Sequence, residues 1–246
     1  MKNVDVLMLS PMMPLIMEGI GQAFNLHKAW EAPDRDALIA ELAPRIRGLA
    51  PGSHYHVDGA LMDKLPKLEI IANFGVGYDT IDAAEAGRRG VIVTNTPDVL
   101  TEEVADLAVG LLIATVRQLP QVDRYLRAGK WLDKAYPLTA TLRGRKIGIL
   151  GLGRIGKAVA KRLEAFGLEI GYHGRKPQAD VAYRYYPTLV GMAKEVDVLM
   201  CVAPGGGETK GMVDAEVMRA LGPDGVLINV GRGTVVDERA LVAALQ

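Results

Sequence analysis

The chain has 246 residues, 49% of them hydrophobic, so it is long enough for two domains with separate buried cores. Its 29 basic and 29 acidic side chains balance, which argues against nucleic acid or a charged membrane surface as partners. Cys201 is the only cysteine, so a disulfide framework is excluded and a reducing compartment, the cytoplasm, is expected. No run reaches the roughly 18 apolar residues of a membrane helix, and segment 4–9 predicts a buried strand rather than a signal peptide.

The first hundred residues alternate short apolar segments with helical patterns, an order typical of a parallel sheet with crossover helices. Buried strands are predicted at residues 4–9, 24–29, 46–50, 68–74 and 91–94. Helices are predicted at residues 14–23, 35–42, 60–65 and 81–89, with Asp34, Asp58 and Thr80 as N-caps. The turn cluster at 95–98 indicates a boundary between a domain at 1–98 and another at 99–246.

The second domain is predicted to begin with helices rather than with a strand. A long helix at 104–116 follows Thr101 as its N-cap, a second helix follows at 121–128, and residues 131–141 form an irregular arm. Later strands are predicted at 168–172, 196–202 and 225–230, with helices between them and a last helix at 238–245. Because the classic doubly wound sheet has six strands, this pattern predicts a cofactor domain that is cut short at its C-terminus.

The strongest motif is a glycine-rich turn between an apolar strand and a helix. Residues 147–150 are apolar, GLGRIG occupies 151–156, and a helix is predicted over 157–166. In such a turn Gly151 permits a tight bend, Gly153 lets a pyrophosphate approach the backbone, and Gly156 lets helix and strand pack closely. The helix start offers N–H groups and a positive dipole end to phosphates. An ordinary turn is the alternative, but the flanking strand and helix favour dinucleotide binding.

The end of the next strand indicates which dinucleotide is expected. NAD enzymes place an Asp or Glu about 20 residues after the glycines, where it binds the ribose hydroxyls. Here YHGRK occupies 172–176, and no carboxylate occurs before Asp180. Arg175 and Lys176 offer charge-assisted bonds to a 2′-phosphate, so NADP(H) is expected as the preferred cofactor and NAD(H) as the alternative. A solvated basic turn would have the same sequence pattern.

Two further turns follow predicted strands, at the sheet edge where α/β folds bind ligands. Two glycines in Gly75-Val76-Gly77 let consecutive amides turn towards one anion, although an ordinary strand-to-helix turn fits equally well. Arg232 lies between two glycines, where a guanidinium can grip a carboxylate and stabilise a developing alkoxide. A surface arginine in a turn is the alternative.

Five ordered segments together resemble the D-isomer-specific 2-hydroxyacid dehydrogenases, most closely the glyoxylate/hydroxypyruvate reductases of that family. They are NFGVGYD at 73–79, TP at 96–97, TEEVAD at 101–106, GLGRIG at 151–156 and NVGRG at 229–233. The resemblance spans essentially the whole chain. It implies two Rossmann-like doubly wound domains, a flavodoxin-like substrate domain and an NAD(P)-binding Rossmann domain, with the active site in the cleft.

The resemblance also implies roles for individual residues. Arg232 would be catalytic, and the Val76 and Gly77 amides would bind the substrate carboxylate, with Ser53 as a further substrate contact. Cofactor contacts are expected at Gly151, Leu152, Gly153, Arg154, Ile155, Gly156, His173, Gly174, Arg175, Lys176, Val202, Ala203, Pro204, Thr209, Asn229, Val230, Gly231 and Arg232. No metal site is expected.

The expected activity is hydride transfer from NADPH to a small 2-keto acid such as glyoxylate or hydroxypyruvate. The family takes its proton-donating His and a partner Glu from segments C-terminal to these motifs, and none of the four histidines matches that pattern. The chain is therefore expected to lack the catalytic acid. One alternative is reduction of bulkier aryl-pyruvates, selected in part by loop 50–54. Another is a dinucleotide-binding regulator resembling co-repressors. The family also implies a homodimer through residues 101–128 and 131–141.

Overall fold

A computed structural model describes residues 3–52 and 55–246 of the chain. They form two compact units, Met1–Val99 and Leu100–Gln246, each with its own five-stranded parallel sheet. The predicted α/β class is confirmed. The expected substrate contact Ser53 lies outside the described residues. Within these ranges, no helix is long and apolar enough to cross a membrane.

The first unit has a flavodoxin-like sheet. Its strands are β1 (Asp5–Met8), β2 (Asn25–Lys28), β3 (Ile46–Ala50), β4 (Ile70–Ala72) and β5 (Ile92–Thr94). Its helices are α1 (Pro14–Ala23), α2 (Arg35–Leu42), α3 (Gly59–Asp63) and α4 (Ala83–Arg88), with a 3-10 turn at Ala29–Glu31. The strand order is β2-β1-β3-β4-β5, and Leu7, Leu49 and Ile71 from the central strands are buried in its core.

The second unit has the first five strands of the classic doubly wound order. Its helices are α5 (Thr101–Val116), α6 (Leu119–Arg127), α7 (Arg154–Glu164), α8 (Leu189–Ala193), α9 (Ala215–Leu221) and α10 (Glu238–Leu245), with 3-10 turns at Lys130–Leu132 and Gly233–Val235. Its strands are β6 (Lys146–Leu150), β7 (Glu169–His173), β8 (Arg184–Tyr186), β9 (Val198–Cys201) and β10 (Val226–Asn229). The order is β10-β9-β6-β7-β8, with Ile147, Ile149 and Met200 buried.

The C-terminal ends of strands β6, β7, β9 and β10 are in register in the second sheet. The Gly151 N–H donates to the His173 carbonyl at 2.9 Å, and the Val202 N–H donates to the Leu150 carbonyl at 3.0 Å. The Val230 N–H likewise donates to the last carbonyl of β9 at 3.0 Å. The turns after β6, β7, β9 and β10 therefore all begin at one edge of this sheet.

Two of the predicted helix caps are confirmed and two are wrong. The carboxylates of Asp34 and Asp58 each accept a backbone N–H at the start of α2 and α3. Helix α4 is capped by Asp82 rather than Thr80, because the Asp82 carboxylate accepts the third N–H of the helix. Thr101 is the first residue inside α5, and no side chain caps that helix.

The remaining differences concern lengths and one missed strand. Strand β4 has three residues where residues 68–74 were predicted, because the apolar sequence continues past the paired segment. Helix α7 begins at Arg154, ahead of the predicted 157–166, because Gly153 itself is the N-cap. Strand β8 was not predicted: its sequence is Arg-Tyr-Tyr, and an edge strand that pairs only with β7 needs little apolar character.

Candidate functional site

The glycine turn after β6 is shaped by close backbone packing. Gly151 has a φ of +94°, and a Cβ there would lie 2.8 Å from the Ala203 Cα at the end of β9. A Cβ at Gly156 would lie 2.2 Å from the Gly151 carbonyl oxygen, so only glycine lets α7 start this close to β6. At Gly153, by contrast, a Cβ would meet nothing within 4 Å among the described residues.

This arrangement fits the pyrophosphate of a dinucleotide. Helix α7 is 11 residues long, and no side chain caps its N-terminus at Gly153. The first-turn N–H groups and the positive end of the helix dipole lie at this N-terminus, where a Cβ on Gly153 would meet no described atom within 4 Å. An anion at this point would be stabilised by both.

The turn after β7 presents unpaired positive charge. Arg175 and Lys176 are exposed, and within residues 3–52 and 55–246 neither makes a hydrogen bond or an ion pair. The first carboxylate after β7 belongs to Asp180, which accepts a hydrogen bond from the Lys157 Nζ at 2.6 Å. That hydrogen bond holds the pKa of the Asp180 carboxyl below its usual range. The turn therefore offers two cations to a 2′-phosphate, and its nearest acid is occupied by a lysine of α7.

Hydrogen bonds that sequence reasoning missed connect this turn to the glycine turn. The Gln178 side-chain amide donates to the Leu152 carbonyl at 2.8 Å, and the Gln178 backbone N–H donates to the Tyr172 hydroxyl at 2.7 Å. The Tyr185 hydroxyl donates to the Gly174 carbonyl at 3.2 Å. The segment carrying Arg175 is thus supported at both ends.

His173 has a defined ring orientation. Its Nδ1 lies 2.8 Å from the Tyr186 carbonyl oxygen on β8. A carbonyl only accepts hydrogen bonds, so Nδ1 carries the proton and Nε2 is the acceptor of the neutral ring. His173 therefore offers the cofactor turn an acceptor nitrogen when the ring is neutral.

The turn after β9 is closed by its own threonine. The Thr209 hydroxyl donates to the Pro204 carbonyl at 2.7 Å, so its proton is used within the loop. Val202 is half-buried and Ala203 is buried, at the point where Gly151 approaches most closely. Cys201 ends the strand as a buried thiol whose pKa is raised to about 12 by burial, which makes it a neutral packing residue.

The turn after β10 positions Arg232 through the side chain of Asn229. The Asn229 Oδ1 accepts the Gly231 N–H at 3.0 Å, while its Nδ2 donates to the Arg232 carbonyl at 3.0 Å. Gly231 packs so closely that a Cβ would lie 2.6 Å from the Ala203 carbonyl oxygen. The half-buried Arg232 guanidinium has its Nη1 3.4 Å from the Gly231 carbonyl. Asn229 therefore supports the backbone of the turn that carries Arg232.

The turn after β4 in the first unit is organised differently. The Asn73 Nδ2 donates to the carbonyls of Gly75 at 3.3 Å and Gly77 at 2.9 Å. The Asn95 Nδ2 donates to the Val76 carbonyl at 2.9 Å. Three consecutive carbonyls are thus bound by two side-chain amides that follow neighbouring strands, and the Gly75 carbonyl also accepts the Thr96 N–H at 3.0 Å.

The amide N–H groups of this turn are consequently directed away from the asparagines. All described peptide bonds are trans, so each N–H is opposite the carbonyl of the preceding residue. The Val76 N–H opposes the bound Gly75 carbonyl, and the Gly77 N–H opposes the bound Val76 carbonyl. In the described part of the chain, neither N–H donates to a protein acceptor. Two adjacent donors are available to an anion.

These features define a class of protein. Two parallel α/β sheets, a Rossmann strand order and a G-x-G-x-x-G turn with space at Gly153 are those of a dinucleotide-binding protein. The expected cofactor contacts, 151–156, 173–176, 202–204, 209 and 229–232, lie at the ends of β7 and β10, at the start of α7 and in the turns that begin at the same edge of the second sheet. The expected contacts Val76 and Gly77 lie at the corresponding edge of the first sheet.

Comparisons with known proteins identify the family. The family model of the D-isomer specific 2-hydroxyacid dehydrogenase NAD binding domain matches residues 109–246. Glyoxylate/hydroxypyruvate reductase A of Arabidopsis thaliana is 45% identical over 100% of this chain and 78% of that protein. Hydroxyphenylpyruvate reductase of Plectranthus scutellarioides is 43% identical with the same coverage.

A solved structure agrees with these sequence relatives. The NADPH-dependent glyoxylate/hydroxypyruvate reductase of Sinorhizobium meliloti, in complex with NADP and malonate, has a TM-score of 0.89 and 48% identity. The match covers 100% of this chain and 76% of that one. This chain belongs to the D-isomer-specific 2-hydroxyacid dehydrogenase family and is an NAD(P)-dependent oxidoreductase that acts on CH–OH donors.

Proposed function

We propose that the protein reduces a small 2-keto acid, glyoxylate or hydroxypyruvate, with NADPH as the preferred cofactor. The cofactor preference depends on one observation: Arg175 and Lys176 are unpaired after β7, whereas Asp180 is bound by Lys157. The substrate class is supported by relatives named as glyoxylate/hydroxypyruvate reductases. NAD(H) is the alternative cofactor, and a regulator without turnover is disfavoured because the relatives are reductases.

Each unit has a separate role in this proposal. Residues 1–98 form the substrate domain and residues 99–246 the cofactor domain. When bound, NADPH supplies the hydride. The start of α7 and the turn at 151–156 receive its pyrophosphate, and Arg175 and Lys176 receive the 2′-phosphate.

Arg232 and the turn after β4 are proposed to act on the substrate. The Arg232 guanidinium would grip the substrate and stabilise the negative charge that develops on the carbonyl oxygen during reduction. The Val76 and Gly77 N–H groups would bind the substrate carboxylate. No described histidine is proposed as the acid. His27, for example, is hydrogen-bonded at 2.6 Å to Asp5, which begins β1 at the opposite end of that sheet from the β4 turn.

Cofactor affinity tests the first part of this function. The 2′-phosphate pairing is worth roughly 1.5–3 kcal/mol, so NADPH should bind about tenfold to 150-fold more tightly than NADH. Arg175→Ala should remove most of that difference, whereas Arg143→Ala, at an exposed arginine of the same unit, should not change it. Titration of both variants with both cofactors measures the effect. Equal affinity of the wild type for NADH and NADPH would contradict the assignment.

Reduction of aryl-pyruvates is the second candidate function, favoured by the similarity to a hydroxyphenylpyruvate reductase. Rates of NADPH oxidation with glyoxylate, hydroxypyruvate and 4-hydroxyphenylpyruvate separate the two candidates. We expect the highest kcat/KM with one of the two small acids. A higher value with the aryl acid would support the second candidate.

We further propose a homodimer formed through α5, α6 and the arm at 131–141. Large apolar side chains are exposed along this region, including Leu107, Leu126, Trp131, Leu132 and Leu138, and two of them, Leu132 and Leu138, are more than 90% exposed. An apolar surface of this kind is typical of a partner interface. Sedimentation should show a dimer at micromolar concentration, and a monomer at that concentration would contradict the proposal.

A reducing compartment, the cytoplasm, is the proposed location. Cys201 is the single cysteine of the sequence, and it is buried as a neutral thiol. Subcellular fractionation with immunodetection tests this location.

A further inference from the structure

Asn73 and Asn95 form an asparagine pair at the edge of the first sheet. Each follows the last residue of a strand, and β4 and β5 are parallel neighbours in which Ala72 pairs with Thr94. Among the described residues, Asn73 is the one buried polar or charged side chain, at 4% exposure. Burial of an amide has a cost unless its hydrogen bonds are made. The carbonyls of Gly75 and Gly77 accept the hydrogen bonds of the Asn73 amide, so its burial is compensated.

We propose that Asn73 and Asn95 are positioning residues that orient the Val76 and Gly77 N–H groups for the carboxylate of the substrate. The inference rests on the proposed function, in which those two N–H groups bind that carboxylate. It adds a reason why the groups point outward. The asparagine pair binds the carbonyls of residues 75, 76 and 77 on the other side of the turn, and the Thr96 N–H shares the Gly75 carbonyl at 3.0 Å.

The physical effect of the asparagine pair is to set the sign of the potential at the turn. A peptide unit has a dipole of about 3.5 D, and rotation of its plane exchanges the N–H for the carbonyl oxygen. Without the Asn95 amide, the peptide between Val76 and Gly77 loses the bond that fixes its carbonyl. A rotated plane would present a partial negative charge to the substrate carboxylate. Loss of an asparagine should therefore weaken carboxylate binding rather than remove a neutral contact.

The replacement of asparagine by aspartate removes the donor while keeping the shape of the side chain, and it also adds a negative charge at the turn. Aspartate has the same shape but accepts hydrogen bonds only, so it cannot bind the turn carbonyls. Asn95→Asp is the primary variant because Asn95 is half-buried, and Asn73→Asp is the second, at the more buried position. Asn3→Asp, at an exposed position, introduces the same charge away from the turn and is the matched control.

The experiment measures binding of oxalate, an unreactive dicarboxylate, to the protein saturated with NADPH. We expect the Kd for oxalate to rise about tenfold or more in Asn95→Asp and Asn73→Asp. This factor corresponds to the loss of one hydrogen bond between a turn N–H and the charged carboxylate. The KM for glyoxylate should rise in parallel, while kcat changes less. NADPH affinity, measured without oxalate, should stay within about threefold of the wild type because it depends on the other unit. Asn95→Gln tests rescue, since it retains the donor. Asn95→Leu removes the donor without adding a charge and should also raise the Kd for oxalate, whereas a wild-type Kd in Asn95→Leu would show that aspartate acts by charge repulsion alone and would overturn the positioning role.

Three outcomes decide the matter. The positioning role is supported if the Asn95→Asp and Asn73→Asp variants have a raised Kd for oxalate but an unchanged NADPH affinity and unfolding temperature, while Asn3→Asp keeps the wild-type Kd for oxalate. Folded aspartate variants that bind oxalate as the wild type does overturn it, and so does a parallel loss of oxalate and NADPH binding, which indicates a merely structural role. Failure of the proposed function is visible separately, because the wild type would then neither bind oxalate nor reduce any 2-keto acid.

Discussion

The turn after β4 and the turn after β6 have similar sequences and are stabilised by different means. Both contain a G-x-G and both begin where a parallel strand ends. After β6, the turn is determined by glycines in contact with backbone, with Gly156 against the Gly151 carbonyl and Gly151 against Ala203. After β4, a Cβ at Gly75 would lie 3.4 Å from the Asn73 amide nitrogen, an ordinary contact, and side-chain hydrogen bonds define the turn.

This difference suits the two proposed ligands. A pyrophosphate needs many N–H groups and space, and close backbone packing supplies both without any side chain at Gly153. A single carboxylate needs two donors in a defined orientation, and two amide side chains are sufficient to set it. A G-x-G pattern alone therefore does not specify how a binding turn is built.

The largest expected effect is loss of stability in Gly156→Ala. Its Cβ would overlap the Gly151 carbonyl oxygen, which is backbone and cannot move aside, so the free energy of unfolding should fall by about 3 kcal/mol or more. Gly153→Ala is the matched control: its Cβ meets no atom within 4 Å, so stability should change by less than about 1 kcal/mol. That methyl group would occupy the proposed pyrophosphate space, so NADPH affinity should fall. Denaturant unfolding with equal stabilities for the two variants would refute the packing argument.

An intermediate effect is expected at Asn229. The turn after β10 combines close glycine packing at Gly231 with side-chain hydrogen bonds from Asn229. Asn229→Ala removes the bonds to the Gly231 N–H and the Arg232 carbonyl, and should lower the free energy of unfolding by about 1–3 kcal/mol. The kcat for keto-acid reduction should also fall because Arg232 is no longer supported. Asn229→Asp, which retains only the acceptor, should not restore kcat. If the alanine variant keeps wild-type kcat, close packing of Gly231 is sufficient to position the arginine.

The smallest effect is expected for Gly75→Ala, and it separates the two turns most directly. The new methyl group would make only an ordinary contact with Asn73, so the free energy of unfolding should change by less than about 1 kcal/mol. Oxalate affinity should stay within about threefold of the wild type. A destabilisation as large as that of Gly156→Ala would show that the two turns are built in the same way.

Much of the second unit could be predicted from local pattern. The apolar segment 147–150, the glycines after it and the following helix are contiguous, so strand, turn and helix follow from propensity and spacing. The short edge strand β8 could not be found this way, because Arg-Tyr-Tyr has little apolar periodicity and its pairing with β7 depends on the assembled sheet. The cap of α4 was missed because Thr80 and Asp82 are both reasonable caps locally.

The sequence by itself determined the α/β class, the order of strands and helices apart from β8, and the residues of the five motifs, because these depend on neighbours along the chain. Only the tertiary structure decided what supports those motifs. Asn95 reaches Val76 across 19 positions, Gln178 reaches Leu152 across 26, and Lys157 reaches Asp180 across 23. Such bonds exist only once parallel strands have aligned their ends, and an amide or an ammonium in the sequence does not show which carbonyl or carboxylate it will meet.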